Sequence, residues 1–310
     1  KIVISNYNLN AVKYKNSFFV GIKGKRYIKT ENEVIIPKIL LQEGQRPDIT
    51  EKYEVVKNYE NIFIWTEHYG DKNICHWFHE QLNGLVLLFN LYKKIPNMKI
   101  IVNKNSRIKQ NIIDVLYFIP NLKKESIYEF DFDEGCKAIK AKNLYLNLGN
   151  FNYSFNIPGK MKNFFIESCN IKPEKNDFKN IYISRRKTNT NNRKLINIEE
   201  ESEYIIKNGY KEVFMEDLSM KEKFNIIYNS KNIIMELGAG CINLCFCNKD
   251  VNIKIMKQNT YHQNNFYNTF FKPFLHDKNI EFIVGEKVGE SNNRNNCNTP
   301  WKLDINKLNL

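Results

Sequence analysis

From Asn180 onward the chain alternates short β-branched runs with helical patterns, and few folds accept that rhythm. Strand Asn180-Ile-Tyr-Ile-Ser184 gives way to a basic, Asn-rich loop over Arg185 to Asn192. An acidic helix start follows at Glu199-Glu-Glu-Ser-Glu-Tyr. Gly209 is placed to end that helix, where a left-handed C′ position favours glycine. Strand Glu212-Val-Phe-Met215 precedes Ser219-x-x-Glu222, the signature of a capping box opening a helix towards Asn229. Strand Asn232-Ile-Ile-Met-Glu-Leu237 runs into Gly238-Ala239-Gly240 and a further helix. Strand Val251 to Met256, a helix between Asn264 and Phe274 and strand Ile280 to Val284 complete the series. Strands separated by helices are joined by crossovers that lay them parallel, so the pattern predicts a doubly wound α/β sheet. Sheets of that kind bind ligands at the carboxyl ends of their strands.

The first half is less regular. Short β runs are expected at Ile2–Ile4, Ser17–Ile22, Glu33–Ile36 and Asn61–Thr66, followed by a long helix from Asn73 to about Tyr92. Strand Met98–Val102 and a helix from Ser106 to Phe118 come next, the helix ending before Pro120. Strands at Ile127–Phe130 and Leu144–Leu148 and a helix over Lys160–Cys169 lead into Lys172-Pro-Glu-Lys-Asn-Asp177, read as a linker. The expected division is therefore an α/β domain over 1–172, a second over 173–290 and a tail over 291–310. That tail carries a short helix from Trp301 to Leu310 and is expected to pack back on the first domain.

A chain of 310 residues with 42% hydrophobic side chains is large enough for two cores and too apolar for disorder. Its longest apolar stretches, such as Leu85–Phe89, are too short to span a bilayer, so no integral membrane segment is expected. The chain opens on Lys1 without a secretory leader, which leaves room for a leader or anchor upstream. The formal charge of +13 invites an anionic partner, either nucleic acid, a phosphorylated small molecule or a membrane surface. The lysines are scattered, however, and Lys, Asn, Ile, Tyr and Phe are overused together, which reads as nucleotide-composition bias. Nucleic-acid binding would need clustered Lys/Arg with interleaved aromatics and is kept as an alternative. The seven cysteines contain no C-x-x-C pair. Cys241, Cys245 and Cys247 read as small hydrophobes in an apolar helix rather than as a metal cluster. A reducing, cytoplasmic setting fits them, with peripheral membrane association left open.

Four groups of residues carry chemistry. Gly238-Ala239-Gly240-Cys-Ile-Asn243 at a strand-to-helix turn lets backbone approach an anion, with helix N–H groups pointing at it. It is not G-x-G-x-x-G, since Asn243 stands where the third glycine belongs, so a dinucleotide site is disfavoured. Arg185 and Arg186 at a strand end, with Arg193 and Asn197 beyond the loop, suit a diphosphate because guanidinium donates in pairs. His76 and Glu80 sit four apart on one helix face with His79 beside them, which suits a general base. Their spacing is not that of a zinc helix. Asp131-Phe-Asp133 matches a D-x-D metal motif, but two Asp two apart are common by chance and Glu134 and Gly135 suggest an acidic turn instead.

Taken in order, the set resembles glycosyltransferase family 61. It comprises His76-Trp77 with Glu80, Tyr182-Ile-Ser-Arg185, Arg193 before Asn197, and Gly209-Tyr followed by Val-Phe. Glu216-Asp-Leu-Ser with Glu222 and Gly238-Ala-Gly-x-x-Asn243 complete it. The resemblance covers about Tyr69 to Val284. It implies a GT-B-like fold, two Rossmann-like domains facing across a cleft, with the acceptor on the first and a nucleotide sugar on the second. It also implies inversion without an obligatory metal or other cofactor. The donor would be a nucleoside diphosphate sugar, UDP-linked by expectation, and the acceptor a hydroxyl of a glycan or glycoprotein. His76 or Glu80 is the expected base. Arg185, Arg186, Arg193, Asn197, Gly238, Ala239, Gly240 and Asn243 are the expected donor-binding residues. Three positions depart from the family pattern: Leu237 replaces a common His, Lys254 a carboxylate and Lys223 a Gln. A D-x-D enzyme using Asp131 and Asp133 with a divalent metal is the alternative within the same reaction class.

Overall fold

The computed structural model describes residues 11–22, 25–35, 50–65, 74–147, 162–187, 194–259, 279–289 and 299–310. The chain divides into two compact units, Lys1–Asn152 and Tyr153–Leu310.

In the first unit, β1 (Ala11–Ile22), β2 (Lys25–Lys29) and β3 (Val34–Ile35) precede β4 (Glu54–Ile64). Next come α1 (Ile74–Lys94), β5 (Lys99–Asn103), α2 (Lys109–Leu116), β6 (Ile127–Phe130) and β7 (Cys136–Asn147). The sheet order is β3-β2-β1-β7-β4-β5-β6. Strands β7, β4, β5 and β6 run parallel, while β1, β2 and β3 extend the sheet in antiparallel fashion. The helix-linked run from β4 to β6 matches the strands and helices expected there, while the return of β7 to the far side of β4, with no helix between β6 and β7, carries no signal in the sequence. The antiparallel wing is larger than the short β runs expected from the sequence. The expected run Ser17–Ile22 forms the second half of β1, while the first half, Ala11–Asn16, alternates lysine and asparagine with apolar residues and carries no continuous apolar run. Strand β2 even buries Arg26, whose guanidinium lies 4.3 Å from the Phe132 ring centroid. Phe19, Ile62, Ile101, Phe132 and Leu146 belong to the core of this unit. The strand expected at Ile2–Ile4 lies outside the described residues.

The second unit contains β8 (Asn180–Ile183), α3 (Ile198–Lys207), β9 (Lys211–Val213), α4 (Met220–Asn229) and β10 (Asn232–Glu236). A 3-10 helix (Ala239–Phe246), β11 (Asn252–Gln258), β12 (Asn279–Lys287) and β13 (Trp301–Lys302) follow. The sheet order is β13-β12-β11-β10-β8-β9, with only β13 antiparallel. Counted from β8, the parallel strands stand in the order 2-1-3-4-5.

The helix ends are as the sequence indicates. Ser219 Oγ accepts from Glu222 N at 3.3 Å and Glu222 accepts from Ser219 N at 2.8 Å, which completes the capping box. Ser219 Oγ also donates to Glu222 Oε2 at 2.7 Å, and this bond, with that from Ser219 N, holds the Glu222 carboxyl below its ordinary range. Ser219→Ala should cost about 1 kcal/mol in denaturant melts; an unchanged midpoint would show that the cap contributes nothing. Gly209 takes φ +83°, the left-handed C′ conformation expected of it.

Two features of the second unit carry no local sequence signal. Asn180, Asn232, Asn252 and Asn279 open four neighbouring parallel strands in register. Their side-chain amides form a ladder: Asn232 donates to Asn180 (2.7 Å), Asn252 to Asn232 (3.0 Å) and Asn279 to Asn252 (3.1 Å). Asparagine abundance that reads as compositional bias therefore pins one end of the sheet. The second feature corrects an expectation. The C-terminal tail is built into the second unit, where β13 pairs with β12 and Trp301, Leu303 and Leu308 enter the core beside Tyr182 and Ile234. Gly285 makes room for this, since a Cβ there would stand 2.5 Å from Trp301 Cε3. A short strand and a 3-10 helix (Ile305–Leu308) replace the expected terminal helix.

The segment read as a linker is tied along α4. Glu174 N donates to Asn225 Oδ1 at 3.2 Å, and Asn229 Nδ2 donates to the Glu174 carbonyl at 2.8 Å. Among the described residues no helix is long and apolar enough to cross a membrane.

Candidate active site

The strand order of the second unit reverses between β8 and β10. The chain steps from β8 to β9 on one side, then returns past β8 to β10 on the other. In open parallel sheets that reversal leaves a crevice at the carboxyl ends, where ligands bind. The register pairs Ile183 with Met235, so Ser184 and Arg185 emerge next to Glu236, Leu237 and Gly238.

Arg185 and Gly238, brought together by no sequence adjacency, meet at this edge. A Cβ on Gly238 would lie 2.8 Å from Arg185 Nη1. Gly238 has an extended backbone (φ 175°) that any residue adopts, so what its missing side chain supplies is space. The sequence assigns that space to an anion approaching the backbone; in the structure the arginine guanidinium fills it. The turn continues as a 3-10 helix rather than the expected α-helix, with Cys241 N donating to the Gly238 carbonyl at 3.0 Å. Asn243 Nδ2 donates to the Gly240 carbonyl at 3.0 Å and braces the turn from inside.

Two other expected donor ligands are engaged elsewhere. Arg186 forks between Glu199 (2.9 Å) and Glu212 (2.6 Å), because two carboxylates from α3 and β9 meet its planar donors. Asn197 Nδ2 donates to the Leu303 carbonyl at 2.8 Å and its Oδ1 accepts from Leu303 N at 3.1 Å. That side chain fastens the C-terminal segment. Arg193 lies outside the described residues. His76 and Glu80 fall on α1, one turn apart, and their side chains lie outside what is described. Trp77 between them is buried, its ring 6.0 Å from that of Trp65.

Asp131 and Asp133 organise a turn. Asp131 Oδ1 accepts from Asn105 Nδ2 (2.8 Å), Asp133 N (3.0 Å) and Glu134 N (3.1 Å). Asp133 accepts from the same Asn105 amide at 3.3 Å. One oxygen holding three donors is an acidic-turn pattern. Cys241, Cys245 and Cys247 are buried in the core, and burial pushes the Cys241 thiol up to about 12.

Residues 74–254, more than half of the sequence, match the family model described as Glycosyltransferase 61. The chain belongs to glycosyltransferase family 61. No curated protein matches it. The family 61 region opens on the first residue of α1 and closes on β11, so it takes in His76 and Glu80 as well as the β8/β10 reversal.

The departures from the family 61 pattern have local explanations in two of three cases. Lys254 Nζ donates to the carbonyls of Leu308 and Asn309 and lies 3.4 Å from Glu281, so it secures the C-terminal 3-10 turn. Lys223 is buried on α4 with Nζ 4.0 Å from Met220 Sδ. Nothing in the structure explains Leu237, which is buried.

Two carboxylates at the reversal, Glu201 and Glu236, lie beyond the residues singled out from sequence. Tyr182 donates its hydroxyl to Glu201 Oε2 at 3.1 Å, and Glu236 lies buried at the end of β10. Burial pushes Glu201 up to about 9, Glu236 adding to the rise and the Tyr182 hydrogen bond opposing it. Burial likewise pushes Glu236 up to about 7, against the pull of Arg185. The sequence holds a signal for both carboxylates. Glu236 ends an otherwise apolar strand, and Glu201 precedes Ile205 by four residues on the apolar face of α3.

Proposed function

We propose that this family 61 glycosyltransferase moves a sugar, with inversion and without an obligatory metal, from a nucleoside diphosphate donor to a hydroxyl of a glycan or glycoprotein. The observation that carries the reading is the Arg185 guanidinium seated against Gly238 at the β8/β10 reversal. A departing diphosphate needs its growing charge met where the sugar bond breaks. A preorganised cation beside a strand-end turn meets it at no reorganisation cost, typically worth about 3–4 kcal/mol per donor. UDP is the nucleotide of first choice, and Gly238, Ala239 and Gly240 present the turn.

In this reading His76 removes the proton of the acceptor hydroxyl and Glu80 orients the imidazole, a contribution of about 10²–10⁴ in rate. The GT-B-like, Rossmann-like reading belongs to the same proposal. It draws support from the 2-1-3-4-5 order in the second unit and the parallel β6-β5-β4-β7 run in the first. The D-x-D alternative draws less, because Asp131 and Asp133 are engaged with each other's turn. Asp131→Ala should lower turn stability and leave transfer within about threefold of wild type, since surface-turn changes rarely exceed that scale.

The test is a panel of nucleotide sugars scored for thermal protection, slow hydrolysis and transfer, with and without EDTA. A true donor at a hundredfold its Kd should stabilise the protein by about 2.7 kcal/mol. Loss of transfer in EDTA together with loss in Asp131→Ala would replace this account with the metal-dependent one.

A further inference from the structure

We propose that Glu236 is a positioning residue for the donor site, its carboxylate holding the Arg185 guanidinium over Gly238. The inference rests on the donor-site reading above and adds to it a residue that touches no substrate.

Glu236 is the last residue of β10, one step beyond the Met235–Ile183 pair, and so stands beside the start of the β8 loop that carries Arg185. It is 5% exposed, and its Oε1 has no hydrogen-bond partner among the described residues. A carboxylate buried at a strand end is costly unless a cation faces it. Arg186 is bound by Glu199 and Glu212, and Lys254 by the C-terminal carbonyls, so neither serves. Among the described residues, Arg185 is the cation whose field reaches Glu236. Two features two residues apart on the same strand end therefore act on one guanidinium. Gly238 leaves the space for it, and Glu236 supplies the charge that draws it there. An arginine restrained in this way reaches a diphosphate without first losing its rotamer freedom.

The other ionisable groups around Glu236 are Glu201 on α3, the Tyr182 hydroxyl on β8 and the Cys241 thiol on the 3-10 helix. Glu201 keeps its proton below about 9, and burial keeps the phenol and thiol neutral over the working range. Between pH 6 and 8, Glu236 is the member of this set that changes charge.

The test measures Kd for UDP and for GDP by calorimetry on the full chain. It compares wild type, E236Q, R185A and the E236Q/R185A double variant at pH 8 and pH 6, with melts as the folding control. At pH 8 E236Q should weaken the nucleotide that wild type binds by about tenfold and add nothing in the R185A background, the mark of one residue acting through another. The two proteins should converge at pH 6, where wild-type Glu236 is itself protonated; a residue that merely fills space would not produce that convergence. The diphosphate's own titration affects both proteins alike. Should E236Q fail to fold, Glu236→Met keeps the volume without the charge and supports the same double-variant comparison. Equal or tighter binding by E236Q at pH 8, or the same loss with and without Arg185, overturns the proposal and leaves the donor site standing. Wild type that binds neither nucleotide, or R185A that binds as wild type does, overturns the donor site and this inference with it.

Discussion

Arg185→Ala is expected to lower kcat/KM for the nucleotide sugar by about 10²–10³-fold, the usual cost of removing one preorganised donor from a developing charge. The loss should appear in kcat as well as in KM, because the guanidinium is needed most as the diphosphate departs. Gly238→Ala tests the same contact from the other side. Its new Cβ would stand 2.8 Å from Arg185 Nη1, and the atom it meets is the far end of a flexible side chain. The arginine can swing aside, so the melting temperature should move little while turnover falls by roughly tenfold or more. In the double variant the two losses should not add, since alanine at 238 has nothing to displace once Arg185 is gone. Full additivity would show that Gly238 and Arg185 act on separate features of the reaction.

The second large effect concerns stability. Glu201→Gln should make the protein more stable than wild type at pH 8, by about 2–4 kcal/mol. Burial raises the folded-state pKa of Glu201 from 4.5 to about 9. Between those values the folded protein holds a proton that the unfolded chain releases, so wild-type stability falls as pH rises through that window. Glutamine cannot ionise, keeps an acceptor for the Tyr182 hydroxyl and removes the penalty. The difference between the two proteins should be small at pH 5 and should grow towards pH 8. Denaturant melts across that range decide the matter, and parallel pH profiles for the two proteins would sink it.

The elements that local chemistry controls are legible in the order of residues. The capping box at Ser219 and Glu222, the left-handed Gly209 and the strands on either side of the Gly238 turn all depend on residues a few positions apart. The antiparallel wing is only partly legible, because the apolar run Ser17–Ile22 marks the second half of β1 while Ala11–Asn16, rich in lysine and asparagine, joins the strand through its pairing with β7. The C-terminal segment differs from its expected place for a related reason. What places Trp301 is a slot opened by Gly285 on a neighbouring strand, together with the distant Asn197 amide.

At the candidate site the sequence names polar residues and leaves their partnerships open. Arg185, Arg186 and Asn197 look alike as polar groups near a strand end. Only packing shows that Arg186 is bound by two carboxylates and Asn197 by the C-terminal backbone, while Arg185 turns towards the β10 edge. Sequence alone determined the alternation of strands and helices in the second unit, and with it a parallel sheet, because those features follow from hydrophobic period and turn chemistry. The tertiary structure decided which arginine faces the β10 edge and which carboxylates lie beneath it. Such pairings depend on strands brought side by side by the crossovers, and on burial that changes what a charge costs, neither of which is written in the succession of residues along the chain.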